Sequence, residues 1–108
     1  LPFLSLGAVG VTSVVANVAP ESMVAMVRAW HEGNTAHALA LHDLVAELTD
    51  GMFVESNPGP VKAALALNNL SGPEMRLPMV PVSDANRERL AGILNRYTSA
   101  ASGVLGAR

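Results

Sequence analysis

Lys62 is the only lysine in this chain of 108 residues, and lysine is the side chain that forms imines with carbonyl substrates. Apart from the terminal amine, no other group could act as a Schiff-base nucleophile. A catalytic lysine needs burial or a neighbouring cation that keeps part of it as the free amine. Lys62 is predicted to lie early in a helix without a cationic neighbour, so we interpret it as a solvent-facing or salt-bridging residue.

Three histidines, His31, His37 and His42, lie near one another in sequence and could bind a metal ion. Residues that face each other on one helix are three or four positions apart, and no two of these histidines have that spacing. We therefore interpret them as partly exposed helix residues and predict no metal site. Ser13 lacks the Gly-x-Ser-x-Gly surroundings of a nucleophile elbow, so the residues by themselves define no catalytic centre and no cofactor site.

The composition argues against several classes of protein. Seven basic residues are scattered among nine acidic ones, which does not suit a nucleic-acid-binding surface. The absence of cysteine excludes disulfides and thiolate chemistry, and it fits a cytoplasmic protein. Residues 1–20 carry no charge, but prolines and glycines interrupt them, so we predict no membrane helix. A mean hydropathy of +0.33 is high for a small domain, which indicates apolar faces that expect a partner.

Val11–Val15 is the one convincing strand of the sequence. Its continuous apolar and β-branched character is typical of a strand covered on both faces, as in a parallel sheet. One strand cannot satisfy its own backbone hydrogen bonds. Its neighbours are therefore expected outside this chain, in a preceding N-terminal portion.

The remaining pattern predicts helices. Pro20 and Glu21 mark a helix start, and Gly33 marks its end. Asn34 is predicted to cap a second helix that runs to about Met52 or Phe53. A third helix is expected from an Asn57 cap to about Leu70, an extended connection over 71–82, and a last helix from Ser83 with Leu90, Ile93, Leu94 and Tyr97 on one face.

The predicted fold class is mainly α, with one strand and one helix followed by three further helices. Such an order is how a (β/α)8 barrel could end, with a helical domain appended to it. We assign residues 1–33 to the end of the barrel and residues 34–99 to the C-terminal helical domain. Residues 100–108 are small and contain glycine, and they are expected to form a flexible tail.

Four segments resemble the dihydrodipicolinate synthase family, in the family's order and over nearly the whole chain. Gly10–Pro20 resembles the last barrel strand and the loop after it, and Phe53–Glu55 is similar to a Phe-Val-Glu element. Asn57–Ala64 resembles the helix start Asn-Pro-x-Pro-Val-Lys, and Arg76–Pro81 resembles the connection Arg-Leu-Pro-x-x-Pro. The Asn-Pro-x-Pro-Val-Lys element favours the synthases over the sugar-acid lyases of the same superfamily.

The resemblance implies a class I aldolase that condenses pyruvate, bound as a lysine imine, with aspartate semialdehyde in lysine biosynthesis, without a further cofactor. The imine-forming lysine, the tyrosine relay and the carboxylate-binding threonines of the family all precede the segment seen here. This chain is therefore expected to be inactive alone, although it belongs to an enzyme. Lys62 matches a recurrent family lysine that is not the imine former.

The resemblance also implies a small contribution to the substrate site. Thr12 corresponds to the last-strand residue whose backbone borders the pyruvate site, where the family usually has isoleucine or valine. The expected partners are pyruvate, aspartate semialdehyde, the N-terminal barrel portion and the other subunits of a homotetramer.

Two alternatives remain open on the sequence. The chain could be an independent small helical module with a binding or regulatory role. It could also be part of another 2-keto-acid aldolase of the superfamily, such as a sugar-acid lyase.

Overall fold

The computed structural model describes residues 1–106, and these residues form five α-helices and one short 3-10 helix. In chain order they are α1 (Pro2–Ser5), the 3-10 helix (Val15–Asn17), α2 (Pro20–His31), α3 (Thr35–Gly51), α4 (Gly59–Leu67) and α5 (Asp84–Gly106). No strand is present among these residues. The mainly helical fold class is therefore confirmed.

The ends of α2 and α3 follow the capping signals of the sequence. Pro20 is the first residue of α2. Gly33 follows the end of this helix and has a positive φ of 79°, which glycine adopts without strain. The Asn34 side chain accepts a hydrogen bond from the His37 N–H at 3.1 Å and so caps α3. Both boundaries are confirmed.

The predicted start and end of α4 were wrong by a few residues. Gly59 donates its N–H to the Ser56 carbonyl at 2.9 Å, so a turn occupies this stretch and Pro58, rather than Asn57, is the cap residue. The helix ends at Leu67 because Asn69 has the left-handed φ of 58°, which terminates helices. The expected extension to Leu70 is therefore a three-residue overestimate.

Helix α5 begins as predicted but continues much further. Asn86 N–H lies 3.4 Å from Ser83 Oγ, in the position of an N-cap contact. The expected flexible tail was wrong for residues 100–106, which are helical. Val104 and Leu105 pack against the core, and this apolar contact holds the last turns in place. Residues 107 and 108 of the predicted tail lie outside the described residues.

The predicted strand Val11–Val15 was also wrong. Residues 11–13 have no regular secondary structure, Val14 already has the helical φ of −60° and ψ of −40°, and Val15 begins the 3-10 helix. A strand is defined by a ladder of hydrogen bonds to a neighbour, and residues 10–12 take part in no backbone hydrogen bond within residues 1–106. The pairing that a strand requires is therefore absent from the described residues.

A layer formed by α2, α3 and α5 builds the core, and α4 packs against α5. The almost fully buried residues include Val15, Ala19, Ser22, Met26, Ala38, Leu41, Leu48, Met52, Pro60, Ala64, Leu90 and Ile93. Because α3 contacts both α2 and α5, it is the central element of the layer. The division into domains at residue 33 stays a prediction.

Candidate functional site

The segment that carries Thr12, residues 9–13, is a surface strip without regular secondary structure. Val9 and Val11 are 87% and 57% exposed, and Thr12 between Val11 and Ser13 is also exposed. The strip is fixed at one end by His31, whose Nε2 lies 3.1 Å from the Val9 carbonyl oxygen. At the other end, Ser13 Oγ accepts the Val15 N–H at 3.1 Å and begins the 3-10 helix.

Between these two anchors the backbone has no partner in the described part of the chain. The N–H and carbonyl groups of residues 10–12 take part in no backbone hydrogen bond within residues 1–106. Extended backbone with free donors and acceptors is the surface to which another strand adds. The strip can therefore accept hydrogen bonds from a neighbouring segment, and its side chains bring no charge.

An apolar groove lies between this strip and α2. It is lined by Gly10, Val11, Ala16, Pro20, Met23, Val24, Val27 and Arg28. Val24, in the middle of α2, is 56% exposed. An exposed apolar groove next to unpaired backbone is a surface suited to a further layer of protein.

Lys62 lies away from the strip, on α4. Its Nζ donates a hydrogen bond to the Glu74 carbonyl oxygen, and the residue is half-buried. Lys62 therefore ties the connection over 71–82 to α4 and pairs with a backbone carbonyl, where we had expected solvent or a carboxylate. With its amine engaged as a donor, it is not placed as a nucleophile beside the Thr12 strip.

The histidines and carboxylates form no metal-binding group of three or more in residues 1–106. His31 bonds the Val9 carbonyl, whereas His37 and His42 are half-buried on α3. Within the same range, no helix is both long and apolar enough to cross a bilayer.

Sequence reasoning missed one well-defined polar cluster, centred on Glu55. Its Oε1 accepts three hydrogen bonds: from the Ser83 N–H at 3.0 Å, from Ser83 Oγ at 2.8 Å and from Asn86 Nδ2 at 2.7 Å. The cluster joins the loop after α3 to the first turn of α5. Because 28 residues separate Glu55 from Ser83, no local spacing could have indicated the contact.

Glu55 should make part of the stability of the chain depend on pH. The Asn86 and Ser83 hydrogen bonds lower the pKa of the Glu55 carboxyl below its ordinary value of 4.5. A lowered folded-state pKa contributes stability that is complete above the ordinary value and is lost as the pH falls below it. We expect Glu55→Gln to reduce the loss of stability on acidification, as measured by urea unfolding between about pH 6 and about pH 3.

A matched control for this measurement is Glu47→Gln. The hydrogen bond from Arg96 lowers the pKa of Glu47 too, so this variant should reduce the same acid loss through a different contact. Only Glu55→Gln should also loosen the loop at 53–59, which hydrogen exchange would detect. If Glu55→Gln left the loss of stability on acidification unchanged, the Glu55 hydrogen bonds would not contribute to this pH dependence.

The comparisons with known proteins agree with each other. The profile of the Dihydrodipicolinate synthetase family matches residues 1–97. The chain is 50% identical over 97 residues to the 4-hydroxy-tetrahydrodipicolinate synthase of Anaeromyxobacter dehalogenans strain 2CP-1, and 44% identical to that of Syntrophus aciditrophicus. Each alignment covers 90% of this chain and 33% of the relative.

Solved structures show the same relationship. The fold is similar to that of the 4-hydroxy-tetrahydrodipicolinate synthase from Methylacidiphilum fumariolicum SolV, with a TM-score of 0.93 and 42% identity over 98% of this chain and 36% of that one. It is also similar to the dihydrodipicolinate synthase of Thermotoga maritima, with a TM-score of 0.88 and 40% identity over 90% of this chain and 33% of that one. The chain thus spans about a third of the length of its relatives.

These matches include the strip at residues 9–13, all five helices and the Glu55 cluster. The family profile covers nearly the whole described chain, and identity of this level over the same span leaves the fold in no doubt. This chain belongs to the dihydrodipicolinate synthetase family.

Proposed function

We propose that this chain forms the barrel end and the C-terminal helices of a 4-hydroxy-tetrahydrodipicolinate synthase. The enzyme would be a lyase that condenses pyruvate, held as a lysine imine, with aspartate semialdehyde in lysine biosynthesis. The observation that carries the proposal is the identity of 44% and 50% to two synthases over 97 residues. Because the chain spans a third of these relatives, the whole activity depends on residues that lie outside it.

The geometry of the strip supports a place in a barrel. Residues 10–12 have no backbone hydrogen-bond partner within residues 1–106, so their donors and acceptors are free for the two neighbours of a parallel strand. The apolar groove beside the strip would be covered by the same neighbouring elements. In this arrangement the backbone of Thr12 would border the pyruvate site, and its side chain would have no chemical role.

The reacting lysine would come from the remaining part of the enzyme. Lys62 is the only lysine of the chain, and its amine donates a hydrogen bond to the Glu74 carbonyl. The chain alone would therefore bind no pyruvate as an imine and would be inactive. A cytoplasmic homotetramer is the assembly we propose for the whole enzyme.

The independent helical module is the weaker proposal, because it leaves the unpaired strip and the apolar groove without a purpose. A sugar-acid lyase is also less favoured, since the relatives described above carry the synthase name.

A chimera tests the proposal. Residues 1–97 of this chain would replace the matching 97 residues of the A. dehalogenans synthase. We expect condensation activity within about 100-fold of that relative, because small misplacements around a reacting site have effects of this size. The relative without its matching segment is the control and should be inactive.

Intact mass after treatment with pyruvate and borohydride separates failure of the site from failure of the chimera. We expect no adduct on the chain alone and one adduct on the chimera, mapped to a lysine of the relative's part. A folded chimera that forms neither product nor adduct would overturn the proposal. A pyruvate adduct on Lys62 in the chain alone would overturn it too, because the chain would then hold its own nucleophile.

A further inference from the structure

The end of α5 extends past the part of the chain that the family profile matches. That match stops at residue 97, whereas α5 continues to Gly106. Val104 and Leu105 in these last turns are half-buried and pack against the core. Leu105 lines a cleft together with Ala25 and Ala29 of α2, and α2 and α5 are in contact.

The contact between α2 and α5 is polar where Ser22 meets Tyr97, and apolar residues lie further along both helices. Ser22 is fully buried, and its Oγ lies 2.7 Å from the hydroxyl oxygen of Tyr97. Further along, Leu105 lines the same cleft as Ala25 and Ala29. Ser22, Ala25 and Ala29 are spaced by three and four positions, so they form one face of α2. Small side chains on this face allow α5 to lie close to α2.

We propose that residues 98–106 form a clasp that holds the second half of α2 against the helical layer. The clasp borders one side of a cleft between α2 and α3, which Leu105 lines together with Arg28 and His37. Helix ends open more readily than helix centres. Opening of the clasp would therefore loosen the side of α2 that faces α5, while the packing of α2 on α3 and of α4 on α5 stays in place. This device does not depend on the proposed catalytic function.

Leu105→Asp tests the clasp, with Ser102→Asp as the matched control. Both changes place a carboxylate near the end of α5, but Ser102 is exposed and Leu105 packs on the core. We expect Leu105→Asp to speed amide exchange in residues 25–31 by about tenfold and to leave α4 unchanged. Ser102→Asp should change neither. Equal acceleration in α2 and α4, no acceleration, or an α2 that is unprotected in the unmodified chain would overturn the proposal.

A cross-link provides a second readout that does not depend on protection. The chain has no cysteine, so introduced pairs react only with each other. The pair Ala25→Cys with Leu105→Cys should form a disulfide or accept a short cross-linker, and the pair Ala25→Cys with Ser102→Cys should not. Equal yields for the two pairs would contradict a seated clasp.

Discussion

Replacing Leu90 with alanine is expected to lower the free energy of unfolding by about 2 to 5 kcal/mol. Leu90 is 0% exposed, and it lies where α5 packs against α3 and α4. Truncation removes its transfer free energy and leaves a cavity that the surrounding helices cannot fill completely. For a small domain this is a large part of the total stability.

Leu77→Ala is the matched control, because it makes the same chemical change at a residue that is 87% exposed. It should change the free energy of unfolding by less than about 0.5 kcal/mol. Urea unfolding, with a constant dependence on denaturant concentration, measures both. Similar losses for the two variants would mean that α5 is not packed as described.

The helix starts could be predicted because their signals are local. The Asn34 side chain accepts a hydrogen bond from the N–H of His37, only three residues later. Pro20 is favoured at the first position of a helix whatever follows it. Asn57 was the exception among the starts. Its neighbour Gly59 is used in a turn with Ser56, and two prolines in sequence gave no means of telling which one begins the helix.

Contacts between distant residues could not be predicted from local patterns. The Glu55 cluster and the contact between Ser22 and Tyr97 join residues 28 and 75 positions apart. The end of α5 was missed for the same reason. Residues 100–106 are small and weakly patterned, and the packing of Val104 and Leu105 against the core explains why they stay helical.

The strand prediction depended on a partner that the chain does not contain. The residue types of Val11 and Thr12 favour a strand, but pairing is a property of two segments, and these residues have no regular secondary structure. The prediction of a substrate site at Thr12 also depended on elements that the chain does not contain. The family resemblance assigned Thr12 a place beside pyruvate, while the described residues supply only the unpaired backbone that such a place requires.

Three of the four most exposed large apolar side chains lie at the start of the chain, although Val24 on α2 and Leu39 on α3 are also 56% and 52% exposed. Phe3, Leu6 and Val9 are each more than three-quarters exposed, while the facing sides of α3 and α5 are buried. The helical layer therefore buries most of its apolar contacts within the described residues. The first 13 residues acquire a comparable environment only from an added layer of protein.

The second large effect is expected at Gly51, where α3 ends against α5. A Cβ atom added there would lie 3.0 Å from Ile93 Cδ1 and 3.4 Å from Leu90 Cδ2. Gly51→Val should therefore destabilise the chain by about 1 to 3 kcal/mol through overpacking. This exceeds the gain of about 0.5 to 1 kcal/mol expected for replacing a helical glycine. Thermal and urea unfolding measure the net loss.

Two further variants separate overpacking from a general effect of valine. Gly103→Val makes the same change in α5 with no atom within 4 Å of the added Cβ, so it should be close to neutral. Ile93→Val deletes the Cδ1 atom that a side chain at residue 51 would meet. The double variant with Gly51→Val should therefore lose less stability than the two single losses added together, by about 0.5 kcal/mol or more. Strict additivity would show that Gly51 and Ile93 are not in contact, and the packing of α3 on α5 would need a different explanation.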